Sequence, residues 1–370
     1  VSSVTRTDPA LRHDDERIVG AWSGAAARRF VIWLLAGVFG LLVAVLAFNV
    51  VVDPYGTLGT GLFPTVTPQD SSTKVQLLEA LKQPPQVVVL GSSRAMRIEP
   101  SYIAQKTGLR SFNAAVRSGT PLDAWAFANF IHDRFQGAQP RYLWMLDINA
   151  FQYQSPAIHD NLFHTPQLSR YFPTADRNSL SLSDLWTMLS WQTTRDSFRS
   201  VRADIRGLPP VVKRDRRAPG EFTPDGGRAI GDFGDPNVGS GANLDVRIKA
   251  TAKEAEAEFA KPAFSGEPSR YFERTLAAMN RWGIRPLLVL TPIHPTLHKL
   301  IGPLGWDERH HKVLDYLAGL QSTYRFTVID MTSTATFGGT PDAFYDGTHM
   351  KVPNLRLMLD AVIARDPGLD

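Results

Sequence analysis

The chain contains no cysteine. That absence excludes disulfides, thiolate zinc sites and cysteine nucleophiles in one step, and it is compatible with an extracytoplasmic location. Charge of one sign is also scarce. The sequence has 40 Lys and Arg against 36 Asp and Glu, a formal net charge of +4 over 370 residues. No long Lys/Arg block occurs, so nucleic-acid binding is not indicated. Metal-ligand spacing is lacking too. His310 and His311 are neighbours that diverge on a helix, and no carboxylate cluster joins them or His298, so neither a metal nor a cofactor is expected. What remains is 43% hydrophobic and 21% charged, the balance of a globular chain long enough for a sizeable core.

One apolar run stands out. Residues 1–29 are polar and mixed in charge, and read as a cytoplasmic tail. From Phe30 to Val52 the only clearly polar side chain is Asn49, and a helix of that length crosses a hydrocarbon layer of about 30 Å. Arg28 and Arg29 precede the run, Asp53 follows it, and the next basic residue is Lys74, so the positive-inside rule keeps the N-terminus in the cytoplasm and exports the rest. A cleaved signal peptide is the competing reading. Against it stand the length of the run and the lack of a small-x-small site before Asp53.

Residues 53–83, rich in Pro, Gly and Thr at their start, read as a stalk or lead-in. From 84 to 370 short apolar runs alternate with helical periodicity, which predicts an α/β domain with a parallel, doubly wound sheet. Strands are expected at Val87–Leu90, Leu109–Ala115, Tyr142–Leu146, Arg285–Leu290 and Phe326–Asp330. The alternation is interrupted at 151–265, which reads as an insertion over the active edge of the sheet. Within it, 207–243 is dense in Pro, Gly and Asp and holds the cluster Lys213-Arg214-Asp215-Arg216-Arg217. Such a stretch is a lid, a binding loop or a disordered segment.

The first strand ends in Gly91-Ser92-Ser93-Arg94, with the serines placed where a helix would begin. A hydroxyl at the carboxyl end of a central strand is well placed to be a nucleophile, although Gly-Ser-Ser also suits a helix cap. Serine needs a base, and the base an orienting acid. Asp346-Gly347-Thr348-His349 follows the last strand and offers both, and in a doubly wound sheet the two loops can meet. The same pair could instead cap the last helix.

At these residues the chain resembles the SGNH (GDSL-like) hydrolase superfamily. The likeness is to its membrane-anchored bacterial members associated with acylation or deacylation of cell-surface polysaccharides, such as alginate O-acetylation proteins. It covers roughly 85–150 and 270–365. Gly91-Ser92-Ser93 stands where the family has Gly-Asp-Ser, which makes Ser93 the nucleophile rather than Ser92. Asn113-Ala114-Ala115-Val116-Arg117-Ser118-Gly119 resembles the second block, in which Gly119, with Ala115 as fallback, supplies an oxyanion N–H. Leu146-Asp147-Ile148-Asn149 resembles the third, with Asn149 completing the hole, but lacks the glycine before it and the aspartate after it. Asp346-Gly347-Thr348-His349 matches the fourth block.

The resemblance implies a three-layer α/β/α sandwich behind one transmembrane helix, in a single-pass protein of the bacterial inner membrane with its catalytic domain in the periplasm. It implies acyl transfer by Ser93, His349 and Asp346 on a cell-surface or secreted polysaccharide, as an O-acetyltransferase or an acetylesterase, without a cofactor. Partners would be the polysaccharide and a membrane-bound O-acyltransferase as source of the acyl donor. Arg94 and His294 are candidates for lining the substrate site, with helix-to-sheet pairing and a structural role as their alternatives. A reading from another class is a non-catalytic partner in a polysaccharide secretion or acetylation complex.

Overall fold

The computed structural model describes residues 24–55, 58, 60, 62–64, 66, 70–152, 160–163, 165–173, 186, 188–206, 222–228, 242–366 and 368. In chain order the elements are α1 (Gly24–Val52), α2 (Asp70–Ala80), β1 (Val87–Leu90), α3 (Pro100–Thr107), β2 (Ser111–Asn113), α4 (Pro121–Arg134), β3 (Arg141–Leu146), α5 (Asp160–Phe163), α6 (Pro166–Ser169), α7 (Trp191–Ile205), α8 (Ala242–Phe259), α9 (Gly266–Arg281), β4 (Leu287–Leu290), α10 (Pro295–Ile301), α11 (Trp306–Leu320), β5 (Thr327–Asp330) and α12 (Val352–Ile363). The described residues fall into two compact units.

The larger unit is built on a five-stranded sheet, all parallel, in the order β2-β1-β3-β4-β5. Side chains alternate across a strand, so each strand feeds two cores. Val88 and Leu90 join Tyr142, Trp144, Leu288 and Leu290 under α4, α9 and α11. Val87 and Val89 join Leu143, Met145, Leu287 and Val289 under α3, α10 and α12 on the other face. Burial on both faces is why these strands read as unbroken apolar runs. The strand order reverses between β1 and β3, with β2 added on one side and β3, β4 and β5 on the other, and ligand clefts of doubly wound folds lie at the carboxyl ends beside such a switch.

Three sequence expectations change here. The second strand is only Ser111–Asn113, and Asn113, still paired with Val89, is its last residue: its side chain donates to the carbonyls of Ala95 and Ile98, and its N–H to the carbonyl of Asp225. Pro295–Ile301, not anticipated as a helix, forms α10 with His294 as its cap. The region 151–265 is also not one insertion. α7 belongs to the smaller unit, whereas Leu244 and Ile248 of α8 enter the second core of the larger one. Most of 207–243, including Lys213 to Arg217, lies outside the described residues. Of its described residues, 222–228 form a turn closed by a bridge between Phe222 and Arg228 and held against β2, and the last two open α8.

That turn is anchored by an unexpected residue. Lys74 on α2 is fully buried, donates to the carbonyls of Asn113 (2.6 Å) and Gly226, and lies 4.3 Å from the centre of the Phe222 ring. A buried ammonium persists only when several acceptors replace its water.

The smaller unit contains α1 and α7. α1 is a 29-residue helix with mean hydropathy 2.8 in its most apolar window, long and apolar enough to cross a membrane. Asn49, the polar exception in the run, is buried against α7 and fully paired. Its Nδ2 donates to the Met188 carbonyl (2.6 Å) and Thr194 Oγ1 (3.0 Å), and its Oδ1 accepts from Ser197 Oγ (2.7 Å).

Lys74→Met keeps the length of the side chain and removes its donors. It should lower the stability of the larger unit by about 2 kcal/mol or more, the cost of leaving buried carbonyls unpaired. Thermal unfolding followed by near-UV circular dichroism measures this, and an unchanged midpoint would refute the anchoring role.

Candidate active site

β1 leads to two serines at the carboxyl edge of the sheet, through a backbone that only glycine permits. Gly91 has φ +148°, and a Cβ there would lie 2.7 Å from the Met145 carbonyl oxygen. Gly119 presses on the same turn from the other side, since a Cβ on it would come within 2.3 Å of the Gly91 oxygen. The segment after the serines differs from expectation. Ser93–Arg97 are turns, and α3 starts only at Pro100, so no helix N-terminus stands at Ser93.

The two hydroxyls point to different partners. Ser92 Oγ donates to Asp147 Oδ2 at 2.6 Å. Ser93 Oγ lies 2.8 Å from His349 Nε2, and His349 Nδ1 lies 2.8 Å from Asp346 Oδ2. With the Nδ1 proton directed at the carboxylate, Nε2 is the acceptor for the Ser93 hydroxyl proton.

Asp346 owes its position to the turn that follows it. Its Oδ1 accepts from the N–H groups of Thr348 and His349, both at 2.8 Å, so the carboxylate is held by its own downstream backbone. Tyr345 N–H donates to the His349 carbonyl, which closes the loop beneath it. Burial pushes the Asp346 carboxyl up, but the hydrogen bond and charge of His349 and the two backbone donors outweigh it. The net effect holds the group well below the usual carboxylate range. Arg97 packs its guanidinium 4.4 Å from the centre of the Tyr345 ring and steadies the residue before Asp346.

Other expected residues take different places. Gly119 N–H donates to the Val116 carbonyl (3.1 Å) and Ala115 N–H to Asn113 Oδ1 (2.9 Å), so neither is free to receive an oxyanion. Asn149 Nδ2 donates to Glu258 Oε2 (2.7 Å), and its Oδ1 accepts from Arg309 (3.0 Å). His294 is buried; its Nδ1 accepts from Thr296 N–H, its own N–H donates to the Gly347 carbonyl, and its ring meets Phe344 edge-on. Burial, partly offset by nearby polar groups, lowers its pKa. His294 therefore caps α10 and supports the Asp346 turn, and it does not line the cleft. Arg94 does line the cleft while pairing with Asp147 (3.5 Å) and donating to Thr291 Oγ1 (3.1 Å).

Asp147 was not singled out from the sequence. It accepts from Ser92 after β1 and from Thr291 after β4 (2.5 Å), and it follows β3 itself. The available signal was positional: it directly follows the central strand, as the serines follow β1.

The cleft holds about 150 Å³. Arg94, Asn149, Glu254, Glu258 and Thr348 supply its polar wall, and Ile293, Leu297, Ile301 and Trp306 its apolar one. The Ser93–His349–Asp346 chain adjoins this cleft through the neighbouring residues Arg94 and Thr348, and hydroxyl, imidazole and carboxylate in that order are the groups that nucleophilic acyl transfer uses. No protein-family model matches the chain, and no curated protein matches it.

A fluorophosphonate probe reports nucleophilic serine without presuming a substrate. Labelling should vanish in Ser93→Ala and persist in Ser92→Ala, which loses the bond to Asp147 and the one from the Arg94 N–H, at about 1 kcal/mol of stability each. The reverse ranking in folded proteins would overturn the assignment. Asp346 also predicts a pH dependence. A carboxyl whose pKa is lowered on folding contributes its full stabilisation above its unfolded value, about 3.9, and loses it progressively as pH falls from there through the lower folded value. Asp346→Asn should therefore melt below the unaltered protein at pH 7, and the gap should begin to narrow below about pH 4 and keep narrowing as the pH falls further.

Proposed function

We propose that the protein is a membrane-anchored serine acyltransferase or esterase acting on a cell-surface or secreted polysaccharide, most simply on its acetyl groups. The observation that carries the reading is the continuous relay from Ser93 Oγ through His349 to Asp346. Its support for the polysaccharide and for acetyl is the short-block resemblance alone. α1 would span the inner membrane, with the larger unit on the periplasmic side.

In this reaction Ser93 Oγ attacks the acyl carbonyl while His349 Nε2 takes its proton. The tetrahedral intermediate collapses, His349 returns the proton to the departing oxygen, and the acyl group stays on Ser93. A second hydroxyl, from a sugar in a transferase or from water in an esterase, gives its proton to His349 and attacks the acyl-serine. Asp346 stays ionised throughout, keeps the tautomer and stabilises the imidazolium. The Ser93 N–H is the oxyanion donor, and Asn149 becomes a second once its amide exchanges Glu258 for the substrate oxygen. A donor of this kind contributes on the order of 3 kcal/mol.

The alternative is a non-catalytic assembly partner. One observation favours it: the N–H groups of Gly119 and Ala115 and the Asn149 amide are all committed to protein acceptors.

An activated acetyl ester separates the two. The enzyme should carry an acetyl group on Ser93, detected by mass spectrometry, and His349→Ala should reduce its formation by on the order of a thousandfold. Adding a polysaccharide acceptor then yields acetylated sugar from a transferase and free acetate from an esterase. Absence of adduct with every donor, together with polymer acetylation in cells carrying Ser93→Ala, would leave the assembly reading standing.

A further inference from the structure

α7 buries the opposite face from the one its composition favours. Thr193, Ser197, Ser200 and Ala203 point inward, while Trp191, Phe198 and Ile205 are 78%, 63% and 78% exposed. These three recur every seven residues, so they form one stripe about 21 Å long. Alongside it run Arg195, Arg199, Arg202 and Arg206, all exposed. Two acidic residues accompany them: Asp196 is buried and paired with Arg199 at 3.0 Å, and Asp204 is exposed. Large apolar side chains in water beside a row of arginines are costly in a soluble helix and favourable at a lipid interface.

The position of α7 says which interface. Its inward face covers the last turns of α1 through the Asn49 hydrogen bonds, and Ser200 Oγ adds a bond to the Pro64 carbonyl. Phe198 meets Phe48 with ring centres 4.9 Å apart. The exposed stripe thus adjoins α1 through this Phe198–Phe48 contact, near the C-terminal end of a helix whose apolar surface is largely exposed. Asn49 acquires a purpose in this arrangement: it fastens the end of the apolar helix to a second helix at the boundary.

We propose that α7 is a membrane-interface helix that lies on the same bilayer, with Trp191, Phe198 and Ile205 in the acyl-headgroup boundary and the arginines on anionic phosphates. The proposal rests on the reading of α1 as a membrane span. It goes beyond that reading by giving the exported side a second lipid contact, which limits how α1 tilts and rotates.

The lack of cysteine makes the test clean, because any introduced thiol is unique. Single variants Phe198→Cys, Leu41→Cys and Ser322→Cys of the full chain carry a fluorophore in vesicles of phosphatidylcholine and phosphatidylglycerol with brominated lipids. Leu41 is an exposed position within α1, and Ser322 is an exposed position on the larger unit. The label at 198 should be quenched several-fold more than that at 322, and best by bromines near the headgroup, while that at 41 responds best to deep bromines. Quenching at 41 without quenching at 198 overturns the interface helix and leaves the span intact; water or a protein would then cover the stripe. Quenching at 198 alone supports the interface helix and removes the span. In a second arm, Arg195→Gln/Arg202→Gln/Arg206→Gln, or omission of phosphatidylglycerol, should weaken quenching at 198 and not at 41. Equal quenching in that arm would refute the role of the anionic headgroups.

Discussion

The carboxylate of Asp147 ties together the loops that leave three neighbouring strands. It stands directly after β3, accepts the Ser92 hydroxyl after β1 and the Thr291 hydroxyl after β4, and pairs with Arg94. Parallel strands align their carboxyl ends, so loops from different parts of the chain arrive at one edge with few backbone bonds among them. A single half-buried acceptor that takes a bond from each neighbour supplies the missing order. It also removes Ser92 from competition, because a hydroxyl donating to a carboxylate at 2.6 Å is not presented to the imidazole.

Glycine geometry works in the same place. With Gly119 against the Gly91 oxygen and Gly91 against the Met145 oxygen, three backbone segments approach more closely than any side chain allows. The consequence is that Gly119 serves the site by its absent side chain, not by its N–H, which is spent on Val116. His349 comes from elsewhere in the chain, on a turn stabilised within itself by Asp346 and seated on His294 through the Gly347 carbonyl. Ser93 and His349, 256 positions apart, meet because two independently rigid loops are placed on one sheet edge.

The two units solve unlike problems. The larger closes a two-sided core around a short parallel sheet, and the smaller presents a long apolar helix joined to a short one through buried hydroxyls and an amide. Polar pairing suits that joint, since small hydroxylated side chains allow close helix approach and satisfy Asn49 fully.

The sequence by itself determined the α/β class, the positions of the five strands, the long apolar helix and the candidates Ser93, Asp346 and His349. Each is written in local pattern: uniform apolar runs for strands buried on both faces, a 23-residue apolar stretch from Phe30 to Val52, and a tetrapeptide whose Asp can bond its own backbone. Only the tertiary structure decided that Ser93 meets His349 while Ser92 turns to Asp147, that Asp147 joins three loops, that His294 is a cap, and that the proposed oxyanion donors Gly119 and Asn149 are already engaged. It likewise assigned Lys74 and Asn49 their partners, 39 and 139 or more positions away. Those facts are directional contacts between side chains distant in the chain. Composition and periodicity encode burial and local conformation, but not where a particular hydroxyl or amide finds its partner.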